Sequence, residues 1–253
     1  MTSEVSPKDR FVTVYGRKPV LEALTDRDLR VDKVVLAEGS RGPIIEEIKE
    51  AAADRAVRVQ RASAHRVKVL AGNGRHDQGV LADVVARKMR PLADALDDPA
   101  TAPGTVLLLD GLTTPANVGM ILRTATAAGI DGIVVPHRGV ASLDPLVIKA
   151  SAGVAFHAPV LRTRTAGEAA ELLSEAGYPL YALEAGASDS IYSTEFGSRA
   201  VFVLGSETAG LSAEVQARIT QPLAIPMAGE VESLNVASAA AVLCFELLRR
   251  KLG

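Results

Sequence analysis

Five side chains that could bind or polarise a substrate lie in three short segments of the sequence. Each segment lies at the carboxyl end of a predicted strand, which is the edge of an open α/β sheet where ligands bind. The five residues are Asn117 and Arg123 in segment 110–129, Glu207 in segment 201–211, and Ser233 and Asn235 in segment 225–241. One fixed cation among amide, hydroxyl and carboxylate groups suits the binding of an anion and the orientation of a reacting oxygen.

These residues also have a purely structural interpretation. Arg123 is the only Lys or Arg between Arg90 and Arg138, yet a long side chain on an apolar helix can simply extend to the surface. The two asparagines and the serine can be helix caps. Spacing favours a shared site, because Arg123 follows Asn117 by six residues, close to two helical turns.

Other common chemistries lack their sequence signatures. There is no P-loop, no Gly-x-Gly-x-x-Gly motif after a strand and no Gly-x-Ser-x-Gly nucleophile elbow. The four histidines are scattered, and Cys244 is the single cysteine, so neither an internal disulfide nor a metal site is expected. A dinucleotide site of the Rossmann type is likewise not supported.

The second half of the sequence predicts a parallel α/β sheet. The run 105–110 (TVLLLD) contains four consecutive apolar residues, a pattern typical of strands buried on both faces. Strand patterns then alternate with helix patterns as far as a terminal helix at 233–251, and such alternation is typical of a sheet covered on both faces.

The first half predicts a smaller α/β unit. Strands at 32–38 and 57–60 flank a helix at 43–54, and a strand at 79–85 closes the unit. A proline-containing stretch with mixed charge follows. We therefore predict a domain at 1–88, a linker that can hold one short helix at 89–104, and a second domain at 105–253.

Composition indicates a cytoplasmic globular protein. The chain has 253 residues, of which 48% are hydrophobic and 23% charged. No apolar run approaches the roughly 18 residues of a membrane span, and the first residues lack the apolar core of a signal peptide. Neither a membrane nor a metal is therefore an expected partner.

Charge is divided unevenly along the chain. Residues 1–88 hold 17 Lys and Arg against 13 Asp and Glu, whereas residues 89–253 hold 11 against 17. The stretch 55–76 contains six Lys and Arg, two His and no acid. This stretch can be an ordinary solvated face or a surface for a polyanion. On the second interpretation the phosphate contacts are Arg58, Arg61, Arg66, Lys68 and Arg75.

Taken in order, the three segments resemble the motifs of the SpoU (TrmH-type) branch of the SPOUT RNA methyltransferases. The matching stretches are PANVGMILRTA, VLGSETAGL and IPMAGEVESLNVASAAA. Thr208 is a departure, since a small residue is common there. VYGRKPVLEAL (14–24) and HDQGVLA (76–82) resemble the ribosomal-protein-like substrate-binding domain of relatives that methylate ribosomal RNA.

The resemblance implies a fold, a cofactor and an assembly. The C-terminal domain would form a deep trefoil knot and pair as a homodimer. S-adenosylmethionine would lie bent in a pocket formed by Leu204, Gly205, Gly210, Ile225, Met227, Leu234 and Asn235. An adenine ring needs a flat apolar slot with backbone partners, and the side chains of Ile225, Met227 and Leu234 fit such a slot.

The implied reaction is methyl transfer to a ribose 2′-oxygen of RNA, with Arg123, Asn117, Glu207, Ser233 and Asn235 as the catalytic set. Large-subunit ribosomal RNA is the expected substrate because of the N-terminal domain, and transfer RNA is the alternative. A non-catalytic RNA-binding protein and a ribosome-assembly factor remain as further alternatives. The sequence leaves open whether the role is housekeeping or antibiotic resistance.

Overall fold

The computed structural model of the protein describes residues 9–72, 77–206, 208–228 and 233–253. Two sheets organise these residues, a four-stranded sheet followed along the chain by a seven-stranded one. The predicted residues Arg75 and Glu207 lie outside the described ranges. Within those ranges, every helix is too short or too polar to cross a lipid bilayer.

The N-terminal sheet is mixed and has helices on both faces. Its elements are β1 (Phe11–Tyr15), α1 (Arg17–Thr25), β2 (Val31–Ala37), α2 (Pro43–Asp54), β3 (Arg58–Ala62), α3 (Ala64–Ala71) and β4 (Val80–Val85). The strand order is β1-β4-β2-β3, in which only β2 and β3 are parallel. Side chains alternate along β2: Val34 and Leu36 pack against α1 and α2, and Val35 packs against Val67 of α3.

The C-terminal sheet is entirely parallel, which confirms the predicted α/β class. Its elements are β5 (Arg90–Pro91), α4 (Leu92–Leu96), β6 (Thr105–Leu109), α5 (Pro115–Ala127), β7 (Gly132–Val134), α6 (Pro145–Ala150), β8 (Val160–Arg162), α7 (Ala166–Glu175), β9 (Leu180–Leu183), β10 (Ala200–Leu204), α8 (Ala213–Gln216), β11 (Gln221–Leu223) and α9 (Val236–Leu252). The strand order is β11-β9-β10-β6-β7-β8-β5. The knot implied by the family resemblance stays a prediction.

The run of four apolar residues in β6, 106–109, follows from the position of this strand in the middle of the sheet. Leu107 and Leu109 pack in the cluster that contains α5 and α9 residues, whereas Val106 and Leu108 pack in the cluster that contains α7 residues. All four side chains are buried. A strand covered on both faces has no position for a polar side chain.

The segment 89–104 contributes to the large sheet. Arg90 and Pro91 form β5, which pairs with β8 at one edge, and Leu92 and Ala95 of α4 are buried in the α7-side cluster. The division into domains at 1–88 and 105–253 stays a prediction. Five elements fell outside the predicted ones: β1, α1, α3, β5 and β8.

Helix α5 packs closely against α6 because it has a glycine at the contact. A Cβ atom at Gly119 would lie 2.5 Å from the Ala150 Cβ and 2.6 Å from the Val147 carbonyl oxygen. Gly119 is itself fully buried in the helix. The separation of α5 and α6 is therefore set by the absence of a side chain at this position.

We expect Gly119→Ala to lower the free energy of unfolding by about 1–2 kcal/mol. Alanine is the better helix former by about 1 kcal/mol, but overpacking against a backbone carbonyl costs about 1–3 kcal/mol. Denaturant titration measures the change, with Ala127→Ser on the exposed side of the same helix as control, expected within about 0.5 kcal/mol of wild type. A Gly119→Ala protein as stable as wild type would show that α6 moves freely.

Candidate active site at the carboxyl edge of the large sheet

A cavity of about 630 Å³ lies beyond the carboxyl ends of β9 and β11. Its walls are residues 183–188, Ser190, residues 224–227, Ser233, Leu234 and Ala239. The volume falls within the roughly 300–1,000 Å³ typical of small-molecule sites. The position agrees with the rule that parallel sheets bind ligands at their carboxyl edge.

The cavity has the groups that an adenosine moiety requires. Of the predicted cofactor residues, Ile225, Met227 and Leu234 line it, and their side chains are partly exposed toward solvent. Within the described residues, the backbone N–H groups of these three have no hydrogen-bond partner. Unpaired backbone donors beside apolar side chains suit a flat heterocycle with acceptor nitrogens, so the residues present fit S-adenosylmethionine.

The other three predicted cofactor-binding positions near β10 do not line this cavity. Leu204 is buried at the end of β10, and its carbonyl accepts a bond from Asp110 N at 3.0 Å. Gly210 closes a tight loop through reciprocal backbone bonds with Ser206 at 2.9 and 3.1 Å. A Cβ at Gly205 would lie 2.7 Å from Leu211 Cδ2, so this glycine accommodates its own loop. Cofactor binding by these positions stays a prediction.

The loop after β9 forms one wall of the cavity and was missed by sequence reasoning. Residues 184–188 contain small side chains and lie mostly exposed. The available signal was position alone, because the loop lies at the carboxyl end of a predicted strand just as the three motif segments do. The stretch carries no motif with which to single it out.

An ion-paired arginine of α9 holds the chain that continues this loop. Arg250 donates from Nη1 to the Thr194 carbonyl at 2.5 Å, donates from Nη2 to the Ile191 carbonyl, and lies 4.9 Å from the ring centroid of Phe196. Its Nε binds Glu246 at 2.7 Å. The Glu246 carboxylate is buried, with its side chain 7% exposed, and it also accepts two bonds from Arg249.

Two guanidinium groups keep Glu246 ionised. Hydrogen bonds from Arg249 and then from Arg250 lower the pKa of Glu246 to about 2, against the opposing effect of burial. A carboxylate that stays charged at every physiological pH gives Arg250 a permanent anchor. The chain at 191–196 is thereby fixed to α9, and the cavity wall at 184–190 is fixed at one end.

Three of the five predicted catalytic residues are brought together at the start of two helices. Asn235 Nδ2 donates to Asn117 Oδ1 at 3.2 Å, which joins the beginnings of α9 and α5. Asn235 Oδ1 accepts from Ala237 N at 3.0 Å and so caps α9. Ser233 lies two residues earlier on the cavity wall. The capping interpretation and the site interpretation of Asn235 are therefore compatible.

Arg123 lies on the exposed side of α5. It is six residues, about 9 Å along the helix axis, from Asn117. Within the described residues, its side chain has no hydrogen-bond or ion-pair partner. Helical side chains incline toward the helix N-terminus, which directs this guanidinium toward the Asn117 end. The arginine is therefore available to an anion approaching from solvent.

The basic stretch of the N-terminal domain covers two surfaces. Arg58 and Arg61 lie on the edge strand β3, paired in register with Lys33 and Leu36 of β2. An odd spacing of three along a strand directs these two side chains to opposite faces of the sheet. Arg66 and Lys68 are exposed on α3, which covers the face shared by Arg58. Phosphate contact by these residues stays a prediction.

Among the described residues, no three His, Cys, Asp or Glu side chains are grouped to hold a metal ion.

Both halves of the chain match models of known families. Residues 104–245 match the SpoU rRNA Methylase family, and residues 13–89 match the family described as RNA 2'-O ribose methyltransferase substrate binding. The first match covers more than half of the chain. The two matches meet close to the stretch that contains β5 and α4.

Whole-chain relatives agree with these matches. The chain is 33% identical over 242 residues to the 23S rRNA (guanosine-2'-O-)-methyltransferase RlmB of Xanthomonas axonopodis pv. citri, covering 95% of this chain and 97% of the relative. It is also 33% identical over 240 residues to a Staphylococcus aureus protein assigned to the TrmH family of tRNA/rRNA methyltransferases, covering 94% and 96%. The AdoMet-bound rRNA methyltransferase from Sinorhizobium meliloti superposes with a TM-score of 0.64 at 25% identity, covering 97% of this chain and 88% of that one.

We expect Arg250→Ala to weaken the binding of S-adenosylmethionine by about tenfold, because charge-assisted bonds worth about 1.5–3 kcal/mol no longer hold the chain beside the cavity. Isothermal titration calorimetry measures the affinity. Arg249→Ala is the matched control: it removes the other arginine bound to Glu246 but leaves the bonds to Ile191 and Thr194 in place. Equal losses in both variants would contradict a specific effect of Arg250 on the loop.

Proposed function

This chain belongs to the SpoU rRNA methylase family, and we propose on that basis that it transfers the methyl group of S-adenosylmethionine to a ribose 2′-oxygen of RNA. The observation that carries the proposal is the cavity beside the Asn117–Asn235 pair, where backbone N–H groups among apolar side chains have no partner within the described residues. Bound there, S-adenosylmethionine supplies an electrophilic methyl group. The protein has to orient the ribose and stabilise charge as the 2′-hydroxyl loses its proton.

We assign Arg123 the central role toward the RNA. A guanidinium has only N–H donors and no acceptor atom, which makes it a poor proton acceptor. In our proposal it stays charged, binds the phosphate beside the target ribose and stabilises the developing alkoxide. Its exposure and its lack of a partner among the described residues support this role. Asn117, Ser233, Asn235 and Glu207 complete the polar wall.

We propose large-subunit ribosomal RNA as the substrate. The Xanthomonas relative is a 23S rRNA (guanosine-2'-O-)-methyltransferase, and residues 13–89 match a substrate-binding family. The name of the Staphylococcus aureus relative includes transfer RNA, which keeps that substrate as the alternative. Action on ribosomal RNA would place the protein in the cytoplasm. The basic residues of β3 and α3 would then contact RNA phosphates, a contribution that weakens with salt.

A methylation assay with two RNAs tests this function. Radiolabelled S-adenosylmethionine is supplied with a 23S rRNA transcript or with bulk transfer RNA, and the modified nucleotide is mapped as a 2′-O-methyl site. Label on the ribosomal RNA alone is the expected result. Label on transfer RNA alone supports the alternative substrate, and label on neither supports a non-catalytic RNA-binding protein.

Within that assay, we expect Arg123→Lys to lose most turnover while keeping its affinity for S-adenosylmethionine. Lysine keeps a point charge but loses the planar fork that binds phosphate in two places. Arg123→Ala should fall at least 100-fold, in the range seen when one stabilising donor is removed from an active site. Near wild-type turnover in Arg123→Ala would show that the catalytic assignment is wrong.

We also propose that the protein works as a homodimer formed through α5 and α9. These helices pack on each other and leave two large apolar side chains in solvent, Met120 at 41% and Phe245 at 50% exposure. Apolar side chains exposed on one face commonly mark a protein interface. Arg123 is one turn from Met120 along the same exposed side, so a second chain on this face would lie close to the active site.

Light scattering at micromolar concentration should give twice the chain mass of 26.4 kDa. We expect Phe245→Arg to shift the protein toward monomer, because an unpaired charge would be buried at the interface. Val69→Arg, at a 57% exposed position of α3, is the control and should remain dimeric. A wild-type monomer with full activity would overturn the proposed assembly.

A further inference from the structure

The carboxyl ends of β7 and β8 form a second positively charged surface that the catalytic motifs do not include. His137 N donates to the Thr163 carbonyl at 2.9 Å, and Arg138 N donates to the Arg164 carbonyl at 3.1 Å. These bonds extend the parallel pairing of β7 and β8 beyond the strands themselves. Arg138 and Arg164 are therefore about one strand spacing apart, roughly 5 Å at the backbone, and both are exposed.

A buried arginine gives this surface a rigid base. Arg162 is 8% exposed, and its guanidinium donates to the Val135 carbonyl at 2.5 Å and lies 2.6 Å from His137 Nδ1. His137 Nε2 is in turn 2.8 Å from Asp9 Oδ1. Burial lowers the pKa of Arg162 to about 10, which still leaves it charged at neutral pH. The buried guanidinium thus links the end of β8 to the end of β7.

Acidic neighbours neutralise this surface only in part. Glu168 is the carboxylate beside Arg164, but the ion pair is long, 3.6 Å, between side chains 70% and 38% exposed. Its Oε2 already accepts from Thr163 Oγ1 and from Arg164 N, each at 3.1 Å. Asp9 faces His137 instead, and within the described residues Arg138 has no ion-pair partner. An exposed pair of this kind contributes little and leaves Arg164 free to bind a stronger anion.

The position of the surface connects the two domains with the catalytic helix. Ala141 N donates to the Leu112 carbonyl at 2.8 Å, so the loop after β7 contacts the loop that leads into α5. Two hydrogen bonds connect the other side of the surface to the N-terminal domain. One joins His137 to Asp9, and the other runs from the Tyr15 hydroxyl to Asp144 Oδ2 at 3.3 Å. The surface therefore contacts both the N-terminal domain and the loop that leads to Asn117.

The net negative charge of residues 89–253 means that RNA binding there requires a local group of cations. Residues 89–253 hold 11 Lys and Arg against 17 Asp and Glu, so the domain as a whole repels a polyanion. Local pairs of guanidinium groups overcome this repulsion, because each can bind a phosphate through two donors. The surface lies at the carboxyl edge, which is the edge where the reaction would take place.

We propose that Arg138 and Arg164 bind two backbone phosphates of the substrate RNA between the N-terminal domain and the active site. This inference rests on the proposed function for the identity of the RNA. Neither arginine belongs to the three motif segments or to the basic stretch at 55–76. Their role is to fix the path of the strand, and the reaction itself takes place elsewhere.

The test compares RNA binding across a range of salt concentrations by fluorescence anisotropy, with a fragment of 23S rRNA. We expect Arg138→Ala/Arg164→Ala to bind at least tenfold more weakly at low salt, with a log–log salt slope smaller by about 1.5, because each phosphate contact contributes about 0.7–0.9. Arg138→Lys/Arg164→Lys should recover most of the slope. Affinity for S-adenosylmethionine and the thermal midpoint should stay at wild-type values.

The matched control is Arg218→Ala/Lys251→Ala. It removes the same two charges from the opposite side, since Arg218 precedes β11 and Lys251 is paired with Asp131, which precedes β7. We expect its salt slope to equal that of wild type. An unchanged slope in the Arg138/Arg164 variant, or an equal decrease in the control, would overturn the proposal.

Methyl transfer by the wild-type protein distinguishes failure of the proposed phosphate site from failure of the proposed function. If the wild type methylates the fragment while the variants bind with an unchanged slope, the proposed function stands and the phosphate site is wrong. If the slope depends on Arg138 and Arg164 but no methyl group is transferred, the binding site stands and the proposed function fails.

Discussion

The ion pair between Glu246 and Arg250 is the interaction on which the shape of the active site depends. A buried carboxylate is tolerated only where cations and hydrogen bonds compensate for lost hydration, and Glu246 has both from two arginines. Arg250 also donates hydrogen bonds to the carbonyls of Ile191 and Thr194, and its guanidinium lies over the ring of Phe196. Helix α9 therefore controls the chain beside the cofactor cavity through one side chain. The opposite end of the same helix begins after Asn235, so one rigid element connects the cavity wall to the hydrogen-bonded pair of Asn117 and Asn235.

Helix α5 divides its surfaces between packing and chemistry. Its buried side includes Gly119, where the missing side chain lets α6 approach to backbone contact. Its first turn presents Asn117 to Asn235, and its exposed side presents Arg123 to solvent. Among the residues that the structure describes, no side chain pairs with Arg123, as expected if its partner is RNA phosphate.

The C-terminal fold could be predicted from the sequence because its central strands are largely apolar, whereas short strands with polar residues, such as β5 and β8, could not. Runs such as 105–110 have no other stable environment than the middle of a covered sheet. Helix α2 was predicted at its observed bounds, 43–54, because its apolar residues recur with helical spacing. By contrast β5 is two residues long and contains a proline, and β8 ends in a buried arginine. Their existence depends on neighbours distant in the sequence.

The candidate site, like the fold, could be predicted only in part from the sequence. Motif residues near α5 and α9 could be placed together in advance, since both helices begin at the carboxyl edge of the sheet. The cavity wall at 184–188 could not be predicted, because four of its five residues, 185–188, have small side chains and the stretch carries no motif. Nor could the separation of Arg58 from Arg61, because the predicted strand ends at residue 60, whereas the observed β3 contains both arginines and places them on opposite faces.

Arg162 explains why a basic surface can persist on a domain whose net charge is negative. Ordering an exposed arginine on a flexible loop costs conformational entropy of both backbone and side chain. Here the buried guanidinium of Arg162 already fixes the backbone at two adjacent strand ends. The exposed Arg138 and Arg164 then project from a framework that is already ordered, so binding an anion costs only their own side-chain freedom. Net charge governs long-range attraction, whereas the path of a bound strand is governed by such preorganised local groups. A domain with a net positive charge and a domain with a net negative charge can therefore bind the same RNA.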